Sequence, residues 1–307
     1  MKWSVWGFWI LLMLTAFGTK SQHPPMFSQY MFNGLVINPA YTGSRDALSL
    51  IALYRHQWAG FQGAPRTQTF SAHSPLKNNR NNFGINIVHD QLGVSDHTML
   101  YGTYAYRIDM GPRAGRLAFG LQGGLSLIED RWTEVVTNLP GDLVFGANSP
   151  TFVVPRFGAG LYWDHPKYFF GLSTPYLLQY NNAVYSSYVQ NSVAYRPWLA
   201  TAGFVARLNP DLLLKPSVLF KFVAPTSMQV DINMNLVIKE AFWIGGSYRT
   251  SDGIVAMFEW QANPQFRFGY SFDYGLGALQ KFNSGSHELM LRYEFGYRMK
   301  SLSPRYF

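Results

Sequence analysis

Between Gln265 and Tyr274 the chain reads Q-F-R-F-G-Y-S-F-D-Y, an aromatic at every second position with Arg267, Gly269, Ser271 and Asp273 between. Successive residues of a strand point to opposite faces, so this segment makes a strand that is aromatic on one side and polar on the other. The alternation returns near the C-terminus, where Leu289, Leu291, Tyr293, Phe295 and Tyr297 interleave with Glu288, Met290, Arg292, Glu294 and Arg298. A membrane barrel turns the apolar face out to lipid and keeps charge in its lumen; a soluble sandwich does the reverse. One strand leaves both open, and the remainder of the chain separates them.

Aromatic residues are 17% of the 307 and charged residues 14%, far from the usual soluble surface. A mean hydropathy of -0.06 excludes a bundle of membrane helices and fits a barrel, whose strands average apolar and polar faces. Lys2 precedes an apolar run from Trp3 to Phe17, then small residues, with Ala16 and Gly18, or Thr19 and Ser21, placed for a signal peptidase. Residues 1–21 therefore read as a secretory signal, too short to span as a helix; an N-terminal membrane anchor is the alternative. Cysteine is absent, so neither a disulfide framework nor a lipoprotein anchor is available. The net charge of +8 is spread singly over turns and polar faces with no run of five, which points to solvated or lumenal positions and not to nucleic acid.

Alternation starts near Ala47 and continues to Met299. It predicts strands at 47–57, 66–74, 83–90, 97–109, 115–129, 152–163, 167–174, 192–208, 211–222, 227–238, 241–250, 253–262, 265–274 and 286–299. The connections are sorted. Tight turns at Asp109–Gly115, Asp164–Lys167, Leu208–Asp211, Lys239–Glu240 and Ala262–Gln265 alternate with connections that include the long ones, Asp130–Thr151, Pro175–Asn191 and Gly275–Gly285. Long loops on one rim and short turns on the other is how outer-membrane barrels are built, and an even strand count puts both chain ends on the short-turn, periplasmic side. The fold class is all-β, a transmembrane antiparallel up-and-down β-barrel of about 14 strands over residues 47–299, in the outer membrane and in contact with the lipid bilayer.

Strand parity assigns Lys215, Lys221, Asp231, Arg267, Asp273, Arg292 and Glu294 to the lumen, with Ser217, Asn233 and Asn235 beside them. Trp58, Trp163, Tyr168, Trp243, Trp260, Tyr274 and Tyr297 lie near strand ends and are expected in interfacial girdles. Glycines within strands, Gly120, Gly158, Gly160 and Gly269 among them, read as bends or close backbone approaches. About fourteen strands enclose more space than their own side chains fill. Residues 22–46, with Pro24, Pro25, Asn33, Asn38, Pro39 and Gly43 and no strand alternation, are the natural plug, since Phe27, Tyr30, Phe32, Leu35 and Tyr41 need burial. A periplasmic tail is the alternative for this segment.

Signals for chemistry are weak. His89 and Asp90 face Ser95, Asp96 and His97 across an outer loop, where acid, base and nucleophile types crowd together, but no third orienting group is identifiable. His56, His73, His165 and His287 are isolated and read as rim residues; no metal spacing, phosphate loop or other cofactor signal occurs, and the expectation is a protein that is not an enzyme.

Specific motifs carry a family resemblance. Phe27-Ser28-Gln29-Tyr30-Met31-Phe32-Asn33, Asn38-Pro39-Ala40-Tyr41-Thr42-Gly43-Ser44, Tyr54-Arg55-His56-Gln57-Trp58 and Gly63-Ala64-Pro65-Arg66-Thr67-Gln68 resemble the opening of the PorP/SprF family. Phe83-Gly84, Leu214-Lys215-Pro216-Ser217, Gln229-Val230-Asp231, Asn283-Ser284-Gly285-Ser286-His287-Glu288 and the ending Ser303-Pro304-Arg305-Tyr306-Phe307 follow in the family's order, so the resemblance covers the whole mature chain. It implies an outer-membrane barrel of the type IX secretion and gliding machinery, without catalytic residues. Such barrels are either core parts that associate with periplasmic and outer-membrane components of the machine, or dedicated partners that secrete and anchor one adhesin cargo carrying a C-terminal sorting domain. On this reading Phe27, Tyr30, Asn33, Asn38, Pro39 and Tyr41 are candidate plug or partner contacts, and Arg305, Tyr306 and Phe307, in the periplasmic tail 300–307, a docking or assembly element. For both sets the plain alternative is that they stabilise the barrel. The competing function is a passive channel for small solutes.

Overall fold

A computed structural model describes residues 27–77, 79–135, 145–177, 196–224, 227–250 and 252–295. The signal segment, residues 22–26, Tyr297, Arg298 and the tail with Arg305, Tyr306 and Phe307 lie outside the described residues. The strands are β1 (Leu48–His56), β2 (Arg66–Pro75), β3 (Asn81–Leu92), β4 (Ser95–Asp109), β5 (Arg116–Asp130), β6 (Phe152–Asp164), β7 (Tyr168–Thr174) and β8 (Arg196–Phe204). They continue as β9 (Ala206–Asn209), β10 (Leu212–Ala224), β11 (Ser227–Ile238), β12 (Phe242–Arg249), β13 (Gly253–Gln261), β14 (Phe266–Gly275) and β15 (Ser286–Phe295).

Apart from β8 and β9, each strand pairs antiparallel with its neighbours in the chain, and β15 returns to β1 from Leu48↔Phe295 to His56↔His287, which closes the wall. β8 and β9 both pair with β10, so they share one position and the ring has 14. The strand expected at 192–208 thus comes as two pieces interrupted at Val205, whose N–H still carries the ladder on to the Lys167 carbonyl at 2.8 Å. A closed ring leaves no backbone edge unpaired, the condition for strands to cross hydrocarbon.

Alternation sets the two faces. Along β14, Phe266, Phe268, Tyr270 and Tyr274 are exposed on the outside, while Arg267, Ser271 and Asp273 are buried inside. The same holds on β11, with Ile232 and Met234 outside and Asp231, Asn233 and Asn235 inside. β4 and β5, at 15 residues each, are longer than the roughly ten that a tilted strand needs to cross a bilayer. Their polar ends, Ser95–Thr98 and Glu129–Asp130, carry them to the long-loop rim. On the other rim Lys239 and Glu240 both adopt left-handed backbone (φ 50° and 56°), as a tight primed hairpin turn requires.

Two positions differ from the sequence reading. Trp243 is no girdle residue: Phe242 and Ile244 take the outer face, so parity turns Trp243 inward, 4% exposed, beneath the Arg267 guanidinium at 3.9 Å. His73 is not on a rim but 1% exposed inside the wall. Tyr168, Trp260 and Tyr274 are exposed on the outer face.

Candidate functional site

Residues 27–44 lie inside the ring of strands, touching inward-facing groups on both sides of the wall. Two single 3-10 turns, Gly34–Val36 and Pro39–Tyr41, shape the segment; the second is capped by Asn38, whose Oδ1 accepts from the Ala40 N–H at 2.9 Å. Successive turns satisfy much of the segment's own backbone, from the Phe32 N–H on the Gln29 carbonyl to the Ser44 N–H on the Tyr41 carbonyl, and the barrel wall supplies partners for the rest.

Its apolar residues are distributed over three clusters. Phe27 and Tyr30 join Leu53, Val88, Met99, Tyr101, Leu199 and Leu219. Phe32 joins Ile51, Leu213, Val237, Trp243 and Met290, and Leu35 and Tyr41 join Ala40, Ala118 and Tyr162. Burial of each large side chain contributes about 1.5–3 kcal/mol, enough to hold the segment against the entropy of ordering it only because there are several.

The polar contacts are more specific. The two oxygens of Glu288 accept the Ser28 and Gln29 N–H groups, each at 2.8 Å, and the Gln29 side chain donates to the Glu288 carbonyl at 3.1 Å. Arg55 pairs with Glu288 at 3.1 Å and Asp273 at 2.6 Å, and the Ser28 hydroxyl donates to Asp273 at 2.6 Å. Arg249 extends the group, at 3.1 Å from Asp231, 3.6 Å from Asp273 and 2.9 Å from Asp252. Arg55, Arg249 and Glu288 are at most 2% exposed, so each charge depends on its partners for the solvation that water would give. Further on, Asn233 donates to the Tyr30 hydroxyl at 2.6 Å, Arg292 to the Phe32 carbonyl, and Asn33 to Ser71 at 3.1 Å. Burial, with the Asp231 carboxylate adding to it, pushes the Tyr30 phenol well above its ordinary range and keeps it a neutral hydroxyl.

The second half of the segment meets the other side of the wall. Asn38 donates to the Leu161 carbonyl at 2.9 Å, Ser173 to the Ile37 carbonyl at 2.6 Å, and Thr42 meets the Thr103 hydroxyl at 3.0 Å. His73 Nδ1 accepts the Gly43 N–H at 3.1 Å, with Tyr41 edge-on to its ring. Arg107 donates to the Gly43 carbonyl at 2.8 Å. At the end, burial opposes the charge on Arg45, but Glu294 at 2.8 Å more than offsets it and holds the guanidinium above its ordinary range.

Of the sequence-derived candidates, Phe27, Tyr30, Asn33, Asn38, Pro39 and Tyr41 come together in this segment, all buried. Lys215, Lys221, Asp231, Arg267, Asp273 and Arg292 are buried on the inner face, and Glu294 lies there partly buried. Arg55, Arg249 and Glu259 join them on the inner face, beyond the residues the sequence pattern points to. On β1 both faces are largely apolar, since Ile51 and Leu53 pack on the segment from inside, and that hides Arg55 from a period-two reading. The rim residues do not assemble a nucleophile: Ser95 donates to Asp130 at 2.5 Å, Asp90 accepts from Thr67 at 2.5 Å, and His89 lies 2.9 Å from Thr98 and 3.3 Å from Asp96, which Arg131 also pairs. No histidine reaches the Ser95 hydroxyl among the described residues.

Comparison with known proteins adds one family. The family model described as type IX secretion system membrane protein PorP/SprF matches residues 19–293. No curated protein matches. Among solved structures, the outer membrane protein Omp33 of Acinetobacter baumannii is similar with a TM-score of 0.47 at 7% identity, over 81% of this chain and 98% of that one. A mutant of the Rh. blastica porin gives 0.36 at 9% identity, over 81% and 99%, and KdgM porin 0.36 at 9%, over 80% and 99%.

Proposed function

The chain belongs to the PorP/SprF family of type IX secretion system membrane proteins, and from that premise we propose that this outer-membrane barrel works by protein contact. Its task is the secretion and surface anchoring of cargo, with residues 27–46 as a plug. The observation that supports this reading is the way the segment is held. A strap tied to buried Glu288, Asp273, Arg292 and His73 on several strands is expensive to remove, whereas an open pore needs only loosely held, solvated groups in its path.

The two rims then divide the work. The long connections, including Trp132–Glu134 and Ala278–Phe282, offer a surface for cargo with a C-terminal sorting domain, such as an adhesin. The short turns, the exposed end of the plug at Asp46 and the tail with Arg305, Tyr306 and Phe307 offer one for periplasmic and outer-membrane components of the machine. Phe27, Tyr30, Asn33, Asn38, Pro39 and Tyr41 serve as the plug's contacts.

The test is proteomics of cell surface and medium after deletion of the gene. Loss of all sorting-domain cargo makes the protein a core component, and loss of one adhesin makes it that adhesin's partner; an unchanged surface and medium overturns the reading. Conductance in planar bilayers tests the plug separately. Silence supports it, while a steady, weakly selective current supports a passive solute channel instead.

A further inference from the structure

On the long-loop side of the segment the lumen keeps a cavity of about 100 Å³. Phe27 and Tyr30 form its floor, and Met99, Tyr101, Leu199 and Leu219 are among its walls. That is room for about one ring or a short branched chain. One side is different: Lys221, Asp231 and Arg249 line it together.

These three charges are not equivalent. Arg249 is committed to Asp231 at 3.1 Å and to Asp252 at 2.9 Å, and Asp231 also accepts from the Gln229 side chain at 3.1 Å. Lys221 is 7% exposed, and among the described residues its ammonium group has neither a hydrogen bond nor an ion pair. An ammonium taken out of water without a partner is costly, and natural interiors rarely keep one without use. The rest of the lining is mostly apolar, with Asn86, Gln122 and Gln229 the polar exceptions, so a ligand that satisfies this cation must also bring an apolar body.

We propose that the cavity binds a monocarboxylate carried on a small apolar body, an arylalkyl or short branched-chain acid, with Lys221 Nζ on the carboxylate and the Met99, Tyr101, Leu199 and Leu219 walls around the body. A single charge is required. One free cation beside the Asp231 carboxylate matches a monoanion and disfavours a phosphate dianion. The same chemistry is presented by a free acid and by the C-terminal residue of a polypeptide ending in an aromatic side chain, and both sources enter the test.

The measurement is calorimetric titration of the full mature chain in phosphatidylcholine nanodiscs, free of detergent that would fill an apolar cavity. Phenylacetate is expected to bind, with phenylacetamide and acetate each at least about tenfold weaker, because one lacks the charge and the other the body. Lys221→Met should lose about tenfold or more for phenylacetate while Lys221→Arg keeps most of the affinity. A short peptide ending in Phe, compared with its C-terminal amide, assigns the source: a preference for the free peptide over phenylacetate points to a chain end, the reverse to a free acid. Equal affinity for phenylacetate and phenylacetamide, unchanged affinity in Lys221→Met, or no binding of any carboxylate overturns the proposal. Should Lys221→Met fail to fold, the acid and amide pair on the native chain still decides.

Discussion

Residues 27–33 and residues 38–43 of the inner segment rest on different parts of the wall, and charge and close backbone approach are weighted differently in the two. The first half meets β1, β12, β14 and β15 through charge: Glu288, Asp273, Arg55 and Arg249 gather around Ser28 and Gln29. The second half keeps the His73 and Arg107 contacts at Gly43, but most of it meets β5 and β6 where side chains are missing. A Cβ on Gly120 would overlap the Ala40 nitrogen, and one on Gly160 would overlap Asn38 Oδ1. The charged wall is directional but carries a desolvation cost, so it works only when its partners are complete. The glycine wall costs no desolvation and gains close packing, but it has no tolerance for added atoms.

The largest effect should come from breaking the charged wall. Glu288→Ala leaves Arg55 with Asp273 as its remaining close carboxylate and strips the Ser28 and Gln29 N–H groups of their acceptor, and is expected to cost about 3–5 kcal/mol. Urea unfolding of the refolded protein in lipid vesicles measures it; a loss below about 1 kcal/mol would show that the pair is not the anchor of this half. Phe268→Arg, one residue from Arg267 on the opposite face, serves as the outer-wall reference. There the charge meets lipid with no partner, and a position near the bilayer midplane should cost about 2–4 kcal/mol in the same assay. If it costs nothing, inner and outer faces have been exchanged.

How far each part could be read from sequence follows from the same contrast. The barrel was legible because lipid on one side and charge on the other impose a period of two on strands such as β11, β14 and β15, and because the loops are sorted by rim. Where the segment packs, the inner face turns apolar and the period fades: Ile51 and Leu53 on β1, Leu213 on β10 and Trp243 on β12 are inside for that reason, and Arg55 is masked among them. The glycines announced close approach without saying to what. Gly120 and Gly160 approach Ala40 and Asn38, partners far away in the chain, and no local pattern encodes such a pairing. His73 failed similarly, since an isolated histidine has no periodicity and its partner is the Gly43 N–H.

Gly120→Val tests the glycine wall. The added side chain has nowhere to go but into the Pro39–Ala40 backbone, and overpacking of this kind costs about 1–3 kcal/mol. It should also raise conductance in planar bilayers if residues 38–43 are displaced, whereas Glu288→Ala should do so by freeing residues 27–33. Variants that unfold to the same extent but differ in conductance would show that the two halves leave the lumen independently.

The smallest effect separates packing from polarity within the charged half. Tyr30→Phe removes one hydroxyl, leaving the Asn233 side chain without its 2.6 Å contact, while the ring keeps its place beside Phe27 and Leu53. A net loss of about 0.5–1.5 kcal/mol is expected, most of it from the amide, whose remaining acceptor is the Ser217 carbonyl at a long 3.5 Å. Replacing both partners, Tyr30→Phe with Asn233→Leu, should therefore recover part of that loss, since neither member of the pair is then left unmet. Strict additivity of the two single changes in urea unfolding would mean that the hydrogen bond contributes nothing, and that the ring alone fixes this end of the segment.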